Sequence, residues 1–120
     1  MEKRKENNQG KSLFYSISID MSSNVCVCFE SERLVVYAVM IKRYAEEGEE
    51  HLNYYYSIEL DEQQVNELRK ILFLTTASKA EILEYIQLLF AGEDAYYEFE
   101  KFIHRHCLSY NTDSGCFRTL

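Results

Sequence analysis

The sequence has few of the features that mark nucleotide-binding and catalytic proteins. It contains only four glycines. It has no glycine-rich phosphate loop, dinucleotide-binding fingerprint, Gly-x-Ser-x-Gly elbow or His-Glu-x-x-His motif. We therefore expect a protein that is not an enzyme and that uses no cofactor.

Long apolar segments are also missing. No run of about 18 apolar residues occurs, which predicts no membrane-spanning helix. The polar stretch from Met1 to Lys11 lacks the apolar core of a secretory signal, so we expect a cytoplasmic protein. In that compartment the four cysteines are expected to be free thiols.

Basic residues are scarce in one half of the chain. Residues 44–100 contain fourteen acidic side chains but only Arg69, Lys70 and Lys79 as basic ones, and the whole chain has a net charge of −7. Such a surface repels nucleic acids and anionic membranes, so we expect it to bind neither. It would attract a basic surface on a partner protein.

The length and apolar content predict one domain. A chain of 120 residues with 47% hydrophobic residues can form a single core without disulfides or metal ions. Residues 1–11 are polar and basic, which is typical of a flexible tail, and residues 12–120 form the domain. No proline, repeat or low-complexity tract interrupts it.

Four segments are predicted to be strands. Residues 13–19 alternate, with Leu13, Tyr15, Ile17 and Ile19 on one face, and residues 25–29 alternate as well. Residues 33–44 fit both helix and strand, but their β-branched residues and the polar loop that follows favour a strand. Residues 52–60 show the clearest alternation, which places Tyr54, Tyr56 and Ile58 in the core and predicts little cost for Asn53→Ala.

The rest of the chain predicts three helices and an irregular end. Asp61 with Gln64, and Ser78 with Glu81, have the spacing of capping boxes. A third helix is predicted from about Asp94 to Cys107, and residues 110–120 are predicted to be irregular. The fold class is therefore α+β: an antiparallel meander of about four strands, followed by about three helices on one face.

A metal or thiol site is the alternative function. Cys26 and Cys28 share a strand face, and His104 and Cys107 share a helix face, so four ligands for zinc are available. Cysteine knuckles are missing, and buried cysteine is an ordinary small apolar residue, so core packing is the favoured interpretation and no metal is expected.

The favoured function is protein binding through carboxylates and exposed tyrosines. Tyrosine buries much area with little loss of entropy, and one of the adjacent Tyr96 and Tyr97 is expected to face solvent. The candidate partner-binding residues lie on a predicted hairpin turn, on strand 52–60 and on two helices: Glu46, Glu47, Glu49, Glu50, Tyr55, Glu81, Glu84, Glu93, Asp94, Tyr97 and Glu98.

In size and charge the chain is comparable to immunity proteins and to inhibitors from phage or mobile elements. Such proteins occupy the basic, nucleic-acid-binding surface of a partner enzyme, where glutamates take the place of phosphates. The comparison depends on charge and size alone, because no motif supports it. A non-catalytic acidic interaction module is therefore the expected function.

Overall fold

A computed structural model describes residues 10–42 and 52–118 of the chain. These residues form a five-stranded antiparallel sheet with three helices on one face. The strands are β1 (Lys11–Ile17), β2 (Met21–Glu30), β3 (Arg33–Lys42), β4 (Leu52–Leu60) and β5 (Asn111–Arg118). The helices are α1 (Glu62–Leu72), α2 (Lys79–Phe90) and α3 (Ala95–Arg105).

The sheet is a meander in which each strand pairs with the next along the chain, in the order β1-β2-β3-β4-β5. The α+β class and the strand at 33–42 are as predicted. The strand count is wrong, because the C-terminal segment predicted to be irregular forms β5 on the free edge of β4. Lys11, assigned to the tail, begins β1, whereas residues 1–9 lie outside the described residues.

Both predicted capping boxes form. The Asp61 side chain accepts a hydrogen bond from the Gln64 N–H at 2.8 Å, and the Gln64 side chain accepts one from the Asp61 N–H at 2.8 Å. Ser78 and Glu81 make the same reciprocal pair at the start of α2. These caps satisfy amide groups that a helix leaves unpaired at its first turn, and so they fix where both helices begin.

The core lies between the helices and one face of the sheet. The sheet contributes alternate residues such as Val27, Phe29, Leu34, Val36 and Ile58, all fully buried. The helices contribute apolar stripes at helical spacing: Val65, Leu68, Ile82, Leu83, Ile86, Ala95, Phe99 and Ile103. We call this side of the sheet the covered face.

The alternate residues point to the other side, which we call the open face. In cross-strand rows it comprises Cys28, Val35, Glu59 and Asn111; Ser12, Cys26, Tyr37, Ser57 and Asp113; Tyr15, Asn24, Val39, Tyr55 and Gly115; and Ile17, Ser22, Ile41, Asn53 and Phe117. The three described helices all pack on the covered face.

A β-bulge changes the predicted face assignment of β1. The register shifts between Ser12 and Phe14, so that Leu13 is buried while Tyr15 and Ile17 point to the open face. Ile19 lies outside the strand and is 90% exposed. The extra residue breaks the period of two, which is why alternation alone placed all four residues on one side.

The burial expected along β4 is also partly wrong. Tyr54 lies on the covered face as predicted, but it is 48% exposed, whereas Ile58 is fully buried. Asn53, expected to be replaceable at little cost, is fully buried, and its side-chain oxygen accepts a hydrogen bond from the Lys42 N–H at 2.9 Å. The alternation gave the correct faces, but the burial along each face depends on what packs there.

Candidate functional site

A groove of about 720 Å³ lies on the covered face, beside the first turn of α3. One wall is formed by the sheet, including Met40 and Tyr56, and the other by α3 and the residues before it. The polar and aromatic groups that give the groove its chemistry are Tyr56, Glu93, Asp94, Tyr96, Tyr97 and Glu100. We call it the tyrosine groove.

The turn between α2 and α3 positions the acidic residues of the groove. Gly92 has φ 137°, a backbone conformation that L side chains rarely adopt, and its N–H donates to the Leu13 carbonyl at 2.9 Å. The Ala95 N–H then donates to the Gly92 carbonyl at 3.0 Å, and α3 begins. Asp94 occupies the N-cap position without a side-chain capping bond, so its exposed carboxylate is available to a ligand.

Tyrosines form the aromatic part of the groove. The rings of Tyr56 and Tyr96 meet edge to face, with centroids 4.6 Å apart. Burial raises the pKa of Tyr96, and Glu100 and Tyr56 raise it further. The Tyr96 phenol therefore stays protonated at neutral pH.

Glu100, near Tyr96 on α3, also interacts with Tyr110, the residue before β5. The Tyr110 hydroxyl donates to Glu100 Oε2 at 3.2 Å. Burial, followed by the Glu100 charge and this hydrogen bond, raises the pKa of Tyr110. The carboxylate is thus held in place while its charge contributes to the groove.

The charged side chains that line the groove, among the described residues, are all acidic. Its lining includes the carboxylates of Glu93, Asp94 and Glu100, and none of the described residues that line it is Lys or Arg. Carboxylates beside tyrosine rings suit an ammonium or guanidinium group, through ion pairing and through attraction to the ring faces. Lys101 shows this combination within the chain, since its Nζ lies 5.2 Å from the Tyr97 ring centroid and 3.6 Å from Glu98 Oε2.

The predicted binding residues fall into separate places. Glu93, Asp94 and Tyr97 line the tyrosine groove, and Glu98 lies beside it, paired with Lys101. Tyr97 is exposed and Tyr96 is half-buried, which agrees with the expectation that one of the two faces solvent.

The other candidates lie elsewhere. Glu84 is exposed on α2, and Glu81 Oε1 accepts the Ser78 N–H in the capping box at 2.8 Å. Tyr55 is on the open face, on the far side of the sheet. The hairpin glutamates Glu46, Glu47, Glu49 and Glu50 lie outside the described residues.

Two members of the groove were not identified from the sequence as binding residues, and a third, Tyr96, was ranked below Tyr97. Tyr56 was expected in the core and Glu100 was not considered, whereas Tyr96 was considered without being chosen over Tyr97. The spacing of Tyr96 and Glu100, four residues apart, puts both on one helix face and was the available signal. Which part of the sheet they face follows only from the tertiary structure.

The four residues of the alternative metal site are not brought together. Cys26 and Cys28 lie on the open face, whereas His104 and Cys107 lie at the end of α3, which packs on the covered face. Among residues 10–42 and 52–118, no group of three or more His, Cys, Asp or Glu side chains could hold a metal ion. Burial raises the pKa of Cys28 to about 11, with Glu30 and Cys26 adding to the shift, which disfavours the reactive thiolate.

Comparisons with known proteins give no relatives for this chain. No protein-family model, curated protein or solved structure matches it significantly. Within the described part of the chain, no helix combines the length and apolar character needed to cross a membrane.

Proposed function

We propose that the protein is a non-catalytic interaction module that binds a basic surface of a partner protein. The observation that carries this proposal is the tyrosine groove, where three carboxylates and three tyrosines surround about 720 Å³ of accessible space without a lining cation among the described residues. An arginine or lysine side chain of the partner would enter the groove and meet both kinds of group.

The charge distribution of the whole chain supports the same kind of partner. Residues 44–100 hold an excess of eleven negative charges, so the chain attracts basic surfaces at long range. Attraction of this kind accelerates the encounter more than it strengthens the final complex. We therefore expect association to be fast at low salt and slower as salt screens the charges.

In the finer form of this proposal, the partner is a nucleic-acid-binding enzyme and the chain is an inhibitor or immunity-type protein. The carboxylates would take the positions of backbone phosphates on the basic surface of the enzyme. The chain itself, with net charge −7, would not bind nucleic acid. Inhibition of the captured partner by the purified chain, measured as loss of nucleic-acid binding, tests this form separately.

The test compares two charge-neutralised baits in affinity capture from the native host, with quantitative mass spectrometry. The groove bait carries Glu93→Gln, Asp94→Asn and Glu100→Gln. The control bait carries Glu62→Gln, Glu67→Gln and Glu84→Gln, which remove three exposed helical carboxylates away from the groove. Both baits lose three negative charges, so they differ only in the positions of the neutralised side chains.

We expect a specific basic partner with the wild-type and control baits, reduced at least tenfold with the groove bait. Equal recovery by both baits would overturn the groove as the contact surface. Loss with the control bait alone would move the contact to the helices. The captured partner is then titrated with each variant across a salt series, and a rate of association that does not depend on salt would contradict the electrostatic proposal.

A further inference from the structure

The open face carries exposed apolar side chains at one end, in the rows of Tyr15 and Ile17, and no described helix covers them. Tyr15 and Ile17 of β1 are 60% and 55% exposed, and Ile41 and Phe117 add to the same surface. Antiparallel sheets with one solvated face normally carry polar side chains there. An exposed apolar surface of this extent is typical of an interface.

The size of the face suits an interface with one partner. Five strands about 4.8 Å apart and about six paired residues long span roughly 24 Å by 20 Å, or about 500 Å². Two such faces in contact would bury about 1,000 Å², which is the lower bound for a specific interface. Sheets that pack face to face lie about 10 Å apart, with side chains from both inner faces interdigitating.

The segments of the chain outside the described residues lack the composition to cover this face. Residues 1–9 contain no apolar residue after Met1. Residues 43–51 include four glutamates and, as apolar residues, only Tyr44 and Ala45. Residues 119–120 add one apolar residue, Leu120, so these segments offer little apolar surface and a second molecule can supply it.

The charge pattern of the open face favours a second copy of this chain. The Arg, Asp and Glu side chains on the described part of this face lie away from the rows of Tyr15 and Ile17. Arg33 pairs with Glu59 at 2.6 Å and with Glu30 at 3.2 Å at one end, and Asp113 lies opposite Ser57 on edge strand β5. The row that holds Tyr15, Asn24, Val39 and Tyr55 contains no Lys, Arg, His, Asp or Glu. Because a net charge of −7 makes two copies repel each other at long range, contact between them is least unfavourable across rows without acidic side chains.

We propose that two copies of the chain pair open face to open face about a two-fold axis. A two-fold contact uses the same patch on both copies, so an apolar, neutral centre is self-complementary. The tyrosine groove lies on the other side of the sheet and stays accessible in the pair. The pairing therefore does not depend on the proposed function.

The first experiment measures the mass of the purified full chain by sedimentation velocity across a concentration series. The disrupting variant carries Tyr15→Glu with Ile17→Asp, at exposed positions of the open face. The matched control carries Tyr85→Glu with Leu88→Asp, which likewise replace a tyrosine and an aliphatic residue by acids, at exposed positions of α2. Circular dichroism checks that both variants keep the fold.

We expect twice the chain mass of 14.2 kDa for the wild type and the control, and at least a tenfold weaker dimer for the open-face variant. A monomeric wild type up to a concentration of several hundred micromolar would overturn the proposal. A dimer that the open-face variant leaves unchanged, or that the α2 variant dissociates, would overturn it as well.

The second experiment uses cysteines already present in the wild type. Cys26 lies in the open face, while Cys107 follows α3 and Cys116 lies on the covered side of β5 opposite Tyr54. Alkylation at fixed pH, read by peptide mass spectrometry, should slow at Cys26 as the dimer forms and stay constant at Cys107 and Cys116. A dimer with unprotected Cys26 would show that another surface, such as the edge of β5, makes the contact.

Discussion

The covered and open faces of the sheet both carry apolar side chains, yet they are in different environments. On the covered face, Phe29 and Ile58 are fully enclosed by three helices. On the open face, Val35 is buried although no described helix covers it, while Tyr15 and Ile17 contact solvent. Burial on the covered face therefore follows the helices, whereas on the open face it varies from residue to residue.

The largest expected difference between the faces comes from truncation at adjacent positions of β2. Phe29→Ala should lower the free energy of unfolding by about 3–5 kcal/mol, because it leaves a cavity beneath the helices. Cys28→Ala, one residue away on the open face, should cost much less because Cys28 is only half-buried. Urea titrations of both variants measure the two losses, and equal losses would contradict the distinction between the faces.

Asn53→Ala should show that a residue on the open face can contribute substantially to the free energy of unfolding. Its side-chain oxygen accepts the Lys42 N–H, and removing it would leave that donor without this bond, at a cost of about 1–3 kcal/mol. Asn111→Ala, an exposed asparagine on β5, is the control and should change stability by less than about 0.5 kcal/mol. Similar midpoints for the two variants in denaturant would show that the Asn53 bond contributes nothing.

A smaller effect is expected where Tyr55 crosses Gly115 on the open face. A methyl group at Gly115 would lie 2.9 Å from Tyr55 Cε1, so the ring must move, at a cost of about 1 kcal/mol. In a Tyr55→Ala background, Gly115→Ala should cost nothing, because the ring is gone. A double-mutant cycle measures this coupling, and a cost that is the same in both backgrounds would assign it to the backbone instead.

A further expected effect of the open face is on stability at alkaline pH, through the Cys28 thiol. The Cys28 thiol titrates at about 11 in the folded chain, against an ordinary pKa of 9.0, so the folded state holds this proton more tightly. The resulting stability is present below pH 9 and is lost as the pH rises to about 11. Cys28→Ala should make this loss shallower, as measured by thermal unfolding from pH 8 to 11.

Tyr37 also contributes to that pH profile, and Cys28 itself helps to raise the pKa of Tyr37. Burial raises its pKa to about 12, with Cys26, Cys28 and Glu30 adding to the shift, so its contribution is lost at higher pH than that of Cys28. Identical pH profiles for the wild type and Cys28→Ala would show that Cys28 is not desolvated on the open face.

Sequence patterns predicted the elements that have strong local signals. The capping residues Asp61 and Ser78 fixed two helix starts, because their side chains satisfy amides of their own first turns. The alternation over residues 52–60 assigned the faces of β4 correctly. Glu93, Asp94 and Tyr97 were recognised as candidates from charge and ring chemistry, but their convergence with Tyr56 and Glu100 was not predictable from spacing.

The remaining features depend on partners distant in sequence. Residues 111–118 include asparagine, aspartate, serine and glycine, which are weak strand formers, and they become β5 because β4 offers an unpaired edge. The bulge at Leu13 occurs where α2 approaches β1, with Gln87 Nε2 donating to the Ser12 carbonyl at 2.9 Å. Neither a free edge nor an approaching helix leaves a local pattern in the sequence.

The fold class, two helix starts and the shared faces of residues in β2, β3 and β4 follow from the sequence, because they depend on local hydrogen bonding and a period of two. Which face the helices cover, where the tyrosine groove forms and the burial of Asn53 emerge only from the folded chain. Burial depends on the surfaces that meet in space. A residue's own neighbours in the chain specify its direction but not what it packs against.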